Sequence, residues 1–170
     1  LPEKFRERLF LDDETVERER ELQGPLIDMC AFGMFKNMSI VGSLFDDASI
    51  ISGNDLFCNL MYLHFARNSV IKNRLPRSLD NLHKLYLEPN GINEVICFHD
   101  ECYGTFTSWA PAFGIEIPFQ PVYFFDFLLE KMKERKDNLS QLPMKVAYQR
   151  PCSNRLIPET QHYVDDVLQL

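Results

Sequence analysis

This chain predicts an α/β domain with a mainly parallel sheet flanked by helices, and three observations carry the prediction. Short apolar runs such as Glu94-Val-Ile-Cys-Phe98 alternate with amphipathic stretches such as residues 124–136. The connections between them are short and marked by Gly, Pro or Asn, as in Pro89-Asn-Gly91. At 170 residues and 45% apolar content, the chain can bury one good core but not two independent ones.

The elements follow in order. Residues 1–24 read as a charged helical arm in which only Phe5, Leu9, Phe10, Leu11, Val16 and Leu22 form a narrow apolar stripe, ended by Gly24-Pro25. The domain proper runs from 25 to 170. Residues 25–29 predict a buried strand that ends at Cys30. Ser49-Ile-Ile51 is a second short run, closed by Ser52-Gly53. Asn54 or Asp55 then caps a predicted helix to about Arg67, and Pro76 opens another carrying Leu79, Leu82, Leu85 and Tyr86 at helical spacing. Residues 94–98 are the clearest buried strand. A short helical stretch over 103–113, a strand over 115–119 and a strongly amphipathic helix over 124–136 come next. Residues 145–149 predict a further strand, and Pro158 starts a last helix with Tyr163, Val164, Val167 and Leu168 inward.

Charge and composition exclude several classes. The formal net charge of −7 leaves no basic footprint for nucleic acid, since Lys131, Lys133, Arg135 and Lys136 alternate with Glu130, Glu134 and Asp137. No apolar run approaches the ~18 residues of a membrane span, and the charged N-terminal stretch has no signal-peptide core. Five cysteines, an odd number without a secretion signal, predict reduced thiols or metal ligands in a reducing, cytoplasmic compartment. The chain begins at Leu1 and stops at Leu170 inside a predicted helix, so the expectation is a fragment of a longer protein.

In parallel α/β sheets, sites form beyond the carboxyl ends of the strands. Cys30 ends the first strand, Cys58 lies near the start of a helix after the second, Cys102 follows the 94–98 strand, and Cys152 follows the 145–149 strand. Four cysteines are thus expected to converge on one edge, whereas Cys97 lies within a strand and reads as a small core residue. This order resembles the cysteine-rich repeat of the heterodisulfide reductase-type iron–sulfur proteins, a family that includes components of glycerol-3-phosphate dehydrogenase and lactate-utilisation complexes. Cys30 matches the first cysteine, Phe57-Cys58-Asn59-Leu60 the doublet, and Val95-Ile-Cys-Phe-His-Asp-Glu-Cys102-Tyr103 the strand and pair. Val146-Ala-Tyr-Gln-Arg-Pro-Cys152 matches the opening of a second repeat. The likeness covers roughly residues 25–170. Asn59 replaces the doublet's second cysteine, His99-x-x-Cys102 replaces the family's Cys-x-x-Cys, and the second doublet and pair would fall beyond Leu170.

The resemblance implies an iron–sulfur cluster that passes electrons or cleaves disulfides, in an oxidoreductase subunit docked to other subunits of a redox complex. Cys30, Cys58, Cys102 and Cys152 would be its ligands, with His99 as a further metal ligand. Two other readings stay open. One is a zinc-bound or metal-free interaction domain of the same fold. The other is a free-thiol enzyme using Cys152, flanked by Arg150 and Arg155, or Cys102 as nucleophile. The charged arm would serve a partner or a second copy of the chain. His99-Asp100 invites a metal-dependent phosphohydrolase, but His64, His83 and His162 are not placed to complete one, and no nucleotide-binding or hydrolase motif is present.

Overall fold

The computed structural model describes residues 22–30, 43–140 and 143–170. In them, Leu26–Asp28 (β1), Ser49–Ile51 (β2), Glu94–Cys97 (β3) and Gln120–Tyr123 (β4) form one all-parallel sheet in the order β2-β1-β3-β4. Leu26 pairs with Ser49, Ile27 with both Ile50 and Ile96, and Glu94 with Gln120. The α/β class with a parallel sheet, expected from the sequence, is the class the chain adopts. Most of the charged arm, residues 1–21, lies outside the described residues.

The strands read as near-continuous apolar runs because both sheet faces are covered. Leu26, Cys30, Val95 and Cys97 face a larger core, while Ile27, Met29 and Ile96 face a smaller one, following the two-residue alternation of strand side chains. The larger face is covered by Asn68–Leu82 (α1), which buries Ile71, Leu75, Leu79 and Leu82. It is covered also by Asp100–Gly104 (α2), which continues through a wider π turn, Thr105–Trp109, carrying buried Phe106 and Trp109. The smaller face is covered by Phe124–Glu134 (α3) together with Phe45, whose ring lies 5.9 Å from that of Phe124. Gln161–Gln169 (α4) packs on α3.

Some boundaries differ from the sequence expectation, each for a local reason. The predicted helix over 54–67 is replaced by two 3-10 turns, Asn54–Leu56 and Leu60–Phe65. Asn59 and Ala66 take left-handed backbone (φ 64 and 53), which an α-helix cannot contain. Helix α1 begins at Asn68 rather than at Pro76, and Pro76 sits inside it on the exposed face, where water can solvate the backbone it leaves unbonded. The strand expected over 115–119 forms one step later, as β4. It is the last strand in the sheet order, and an edge tolerates Pro121. Residues 145–149 join no strand among the described residues, and Met144, Val146 and Tyr148 are exposed. Three apolar side chains on one side do not match the inner strands β1 and β3, which are buried on both faces. No helix among the described residues is long and apolar enough to cross a membrane.

The strand order has a consequence for function. From β1 the chain goes to β2 on one side and then returns to β3 on the other. The winding therefore reverses between β1 and β3, and the carboxyl ends of strands at such a reversal are where parallel α/β sheets carry their sites.

Candidate metal centre

Three cysteines meet at that reversal. The sulfurs of Cys30, Cys58 and Cys102 all lie within 4.8 Å of one another, and all three residues are buried. Cys30 follows β1 in a left-handed conformation, φ 53, that a residue with a Cβ adopts only when its surroundings enforce it. The enforcement is visible. The Cys30 amide donates to Asp28 Oδ1 at 2.7 Å, and its carbonyl accepts from the Gly53 amide at 2.9 Å.

Cys58 sits between the two 3-10 turns, and its amide donates to Cys30 Sγ at 3.2 Å. The carbonyl of Phe57 just before it accepts from Asn59 Nδ2 and, at 3.1 Å, from Ser78 Oγ on α1, so the loop is tied to the helix beneath it. Cys102 lies in the first turn of α2. That turn is held by the Tyr103 amide donating to the His99 carbonyl at 3.1 Å. The Tyr123 hydroxyl at the end of β4 also donates to Asp100 Oδ1 at 3.0 Å. His99 places Nδ1 3.7 Å from Cys102 Sγ.

The three sulfurs share hydrogen bonds, which push their titrations apart. Hydrogen bonds from Cys102 and then Cys30 hold the Cys58 thiol well below its ordinary value, outweighing burial, with the Leu60 amide and His99 adding to the effect. Cys102 is pushed up by its hydrogen bonds to Cys30 and Cys58 and by burial. Beneath them Asp28 is fully buried. Burial raises its pKa to about 7 against the stabilising Cys30 amide, and the charges of Cys58 and Asp55 push the same way. Burial lowers His99, which therefore presents a neutral imidazole, although Cys58 pulls it upward. Thiolate sulfur and neutral imidazole are the forms in which these side chains bind soft and borderline metals, and a bound cation would draw the remaining thiol protons off. Three buried cysteines at this spacing can take a metal ion.

The structure brings together Cys30, Cys58 and Cys102 of the sequence-predicted site residues and sets His99 against Cys102. It places Cys152 elsewhere: exposed, at the start of the 3-10 turn Cys152–Leu156, beside His64 and Glu101. Cys97, the last residue of β3, is a fully buried core residue whose thiol faces the Val95 carbonyl at 3.7 Å. Sequence reasoning missed Asp28, although its signal was present as a lone carboxylate in an otherwise apolar run, Leu26-Ile-Asp-Met29. It also missed Asn59, whose left-handed backbone turns the chain at Cys58.

No family model matches the chain, and comparison with curated proteins and with solved structures finds no match.

Proposed function

We propose that the chain is a redox subunit or domain that holds an iron–sulfur cluster through Cys30, Cys58 and Cys102, with His99, 3.7 Å from the Cys102 sulfur, as a further donor. The carrying observation is the meeting of three buried cysteines from three separate segments at the point where the sheet reverses its winding. Cluster iron takes thiolates and, in some clusters, imidazole, so the donor set is chemically suited. When bound, such a cluster supplies one-electron transfer or disulfide cleavage. The chain's own groups hold it out of water, and His99 and Asp28 set the local charge. This reading follows the heterodisulfide reductase-type resemblance and carries with it a cytoplasmic location and partner subunits that donate or accept electrons.

A second reading is favoured by one specific observation. Cys152 stands apart from the other three, which leaves three cysteines and one histidine, the donor set of a closed structural zinc site. In that case the domain is an interaction module stabilised by zinc.

The deciding experiment measures iron, zinc and acid-labile sulfide in protein purified without oxygen, with Cys30→Ser, Cys102→Ser and Cys152→Ser in parallel. Iron with sulfide in the parent and in Cys152→Ser, lost in the other two, is the expected result. Zinc without sulfide in the same pattern selects the second reading. No metal in the parent overturns both.

A further inference from the structure

A second group of donors lies on the surface beyond α2. We infer that His64, Glu101 and Cys152 form a separate, exchangeable site for one zinc-class divalent ion. This does not depend on what the buried cysteines hold. One ligand atom from each of the three side chains lies within 4.8 Å of the other two, and the residues come from segments far apart in sequence. His64 belongs to the Leu60–Phe65 turn, Glu101 to α2, and Cys152 to the Cys152–Leu156 turn.

The spacing also suits shared coordination of one ion. His64 Nε2 stands 3.7 Å from Glu101 Oε1, longer than an ordinary hydrogen bond. Two ligands held at about 2.1 Å across a tetrahedral angle stand about 3.4 Å apart. The cradle is also built rather than loose. Thr105 Oγ1 donates to the Glu101 carbonyl at 2.6 Å. A Cβ at Gly104 would lie 3.0 Å from Leu156 Cβ, so the helix bearing Glu101 and the turn bearing Cys152 approach as closely as a glycine permits.

The donor chemistry selects the ion. One thiolate, one imidazole and one carboxylate favour zinc over magnesium or calcium, which prefer all-oxygen shells. Three protein ligands leave a fourth position to water, and His64 and Cys152 are exposed, so the ion exchanges with solvent.

The test is equilibrium dialysis of the reduced full chain against zinc, with bound metal counted per chain, repeated for His64→Ala and Cys152→Ser. Cobalt in place of zinc reports thiolate ligation through its charge-transfer band. The parent is expected to bind one more equivalent than either variant, or to bind that equivalent at least tenfold more tightly. The Cys30→Ser/Cys102→Ser double variant is expected to keep it. Equal stoichiometry and affinity in the parent and both exposed variants overturns the site. So does loss of this equivalent from a folded double variant, since Cys152 would then serve the buried group. Both single substitutions are at exposed positions, so these two variants decide the question even if the double variant does not fold.

Discussion

Asp28 accepts the Cys30 amide at 2.7 Å from a fully buried position, and its carboxyl is held at about pH 7 rather than at its usual 3.8. For an acid whose folded pKa is raised, the native state keeps a proton that the unfolded state has lost. The associated stability is complete below the unfolded value and disappears as the pH climbs through the folded one. For Asp28 the window runs from about 4 to 7, and the span corresponds to on the order of 4 kcal/mol. Asp28→Asn keeps an oxygen for the Cys30 amide but cannot ionise. Urea unfolding of metal-free protein should therefore show this variant gaining on the parent between about pH 4 and pH 7 and levelling off above that. Parallel pH profiles for the two proteins would sink the assignment. The residue was legible as an anomaly in an apolar run. Its role was not, because nothing local in the sequence says that three sulfurs will gather above it.

Among the elements, β1 depends on how closely the chain can approach it. Gly24 has φ 69, and a Cβ there would stand 1.9 Å from the Asp47 carbonyl oxygen, which is backbone and cannot swing away. Gly91 has φ 63 with nothing within 4 Å of a Cβ. Alanine at either position meets the left-handed penalty of about 1–2 kcal/mol. Only at Gly24 does a backbone collision add to it, so Gly24→Ala should lower the urea midpoint clearly more than Gly91→Ala. Equal losses would mean that the approach at Asp47 relaxes without cost. The same physics explains which elements could be read from sequence. The runs around β1 and β3 and the amphipathic stretch of α3 announce themselves because burial alone dictates their pattern. The stretch over 54–67 mimics a helix through Leu56, Leu60 and Leu63, and the left-handed steps at Asn59 and Ala66 have no sequence marker of comparable strength.

At the level of the whole molecule, the all-parallel sheet with its order β2-β1-β3-β4 sends three cysteine-bearing segments to one end. The rule that sites gather at strand ends was usable without knowing the strand order, which is why Cys30, Cys58 and Cys102 could be named from sequence. Cys152 stands apart from these three for a traceable reason. Residues 145–149 join no strand among the described residues, so the strand end assigned to Cys152 is absent from that sheet. A metal bound at the three cysteines would cross-link β1, the loop before α1 and the first turn of α2, and would bind only the folded chain. Free ion a hundredfold above Kd would then add about 2.7 kcal/mol. In Cys152→Ser, which lacks the surface site, the melting temperature should fall on chelation under reducing conditions and recover when metal is restored, with Cys102→Ser/Cys152→Ser indifferent to both treatments. A Cys152→Ser protein equally indifferent would show that the three sulfurs hold nothing.

The left-handed backbone at Cys30 bears on inheritance. Glycine would occupy that conformation more cheaply by about 1–2 kcal/mol, and a single base change converts a cysteine codon into a glycine codon. The change is easy to reach, but it also empties a buried core position and removes the acceptor of the Cys58 amide. Position 30 therefore trades backbone strain against core packing and the tether to Cys58.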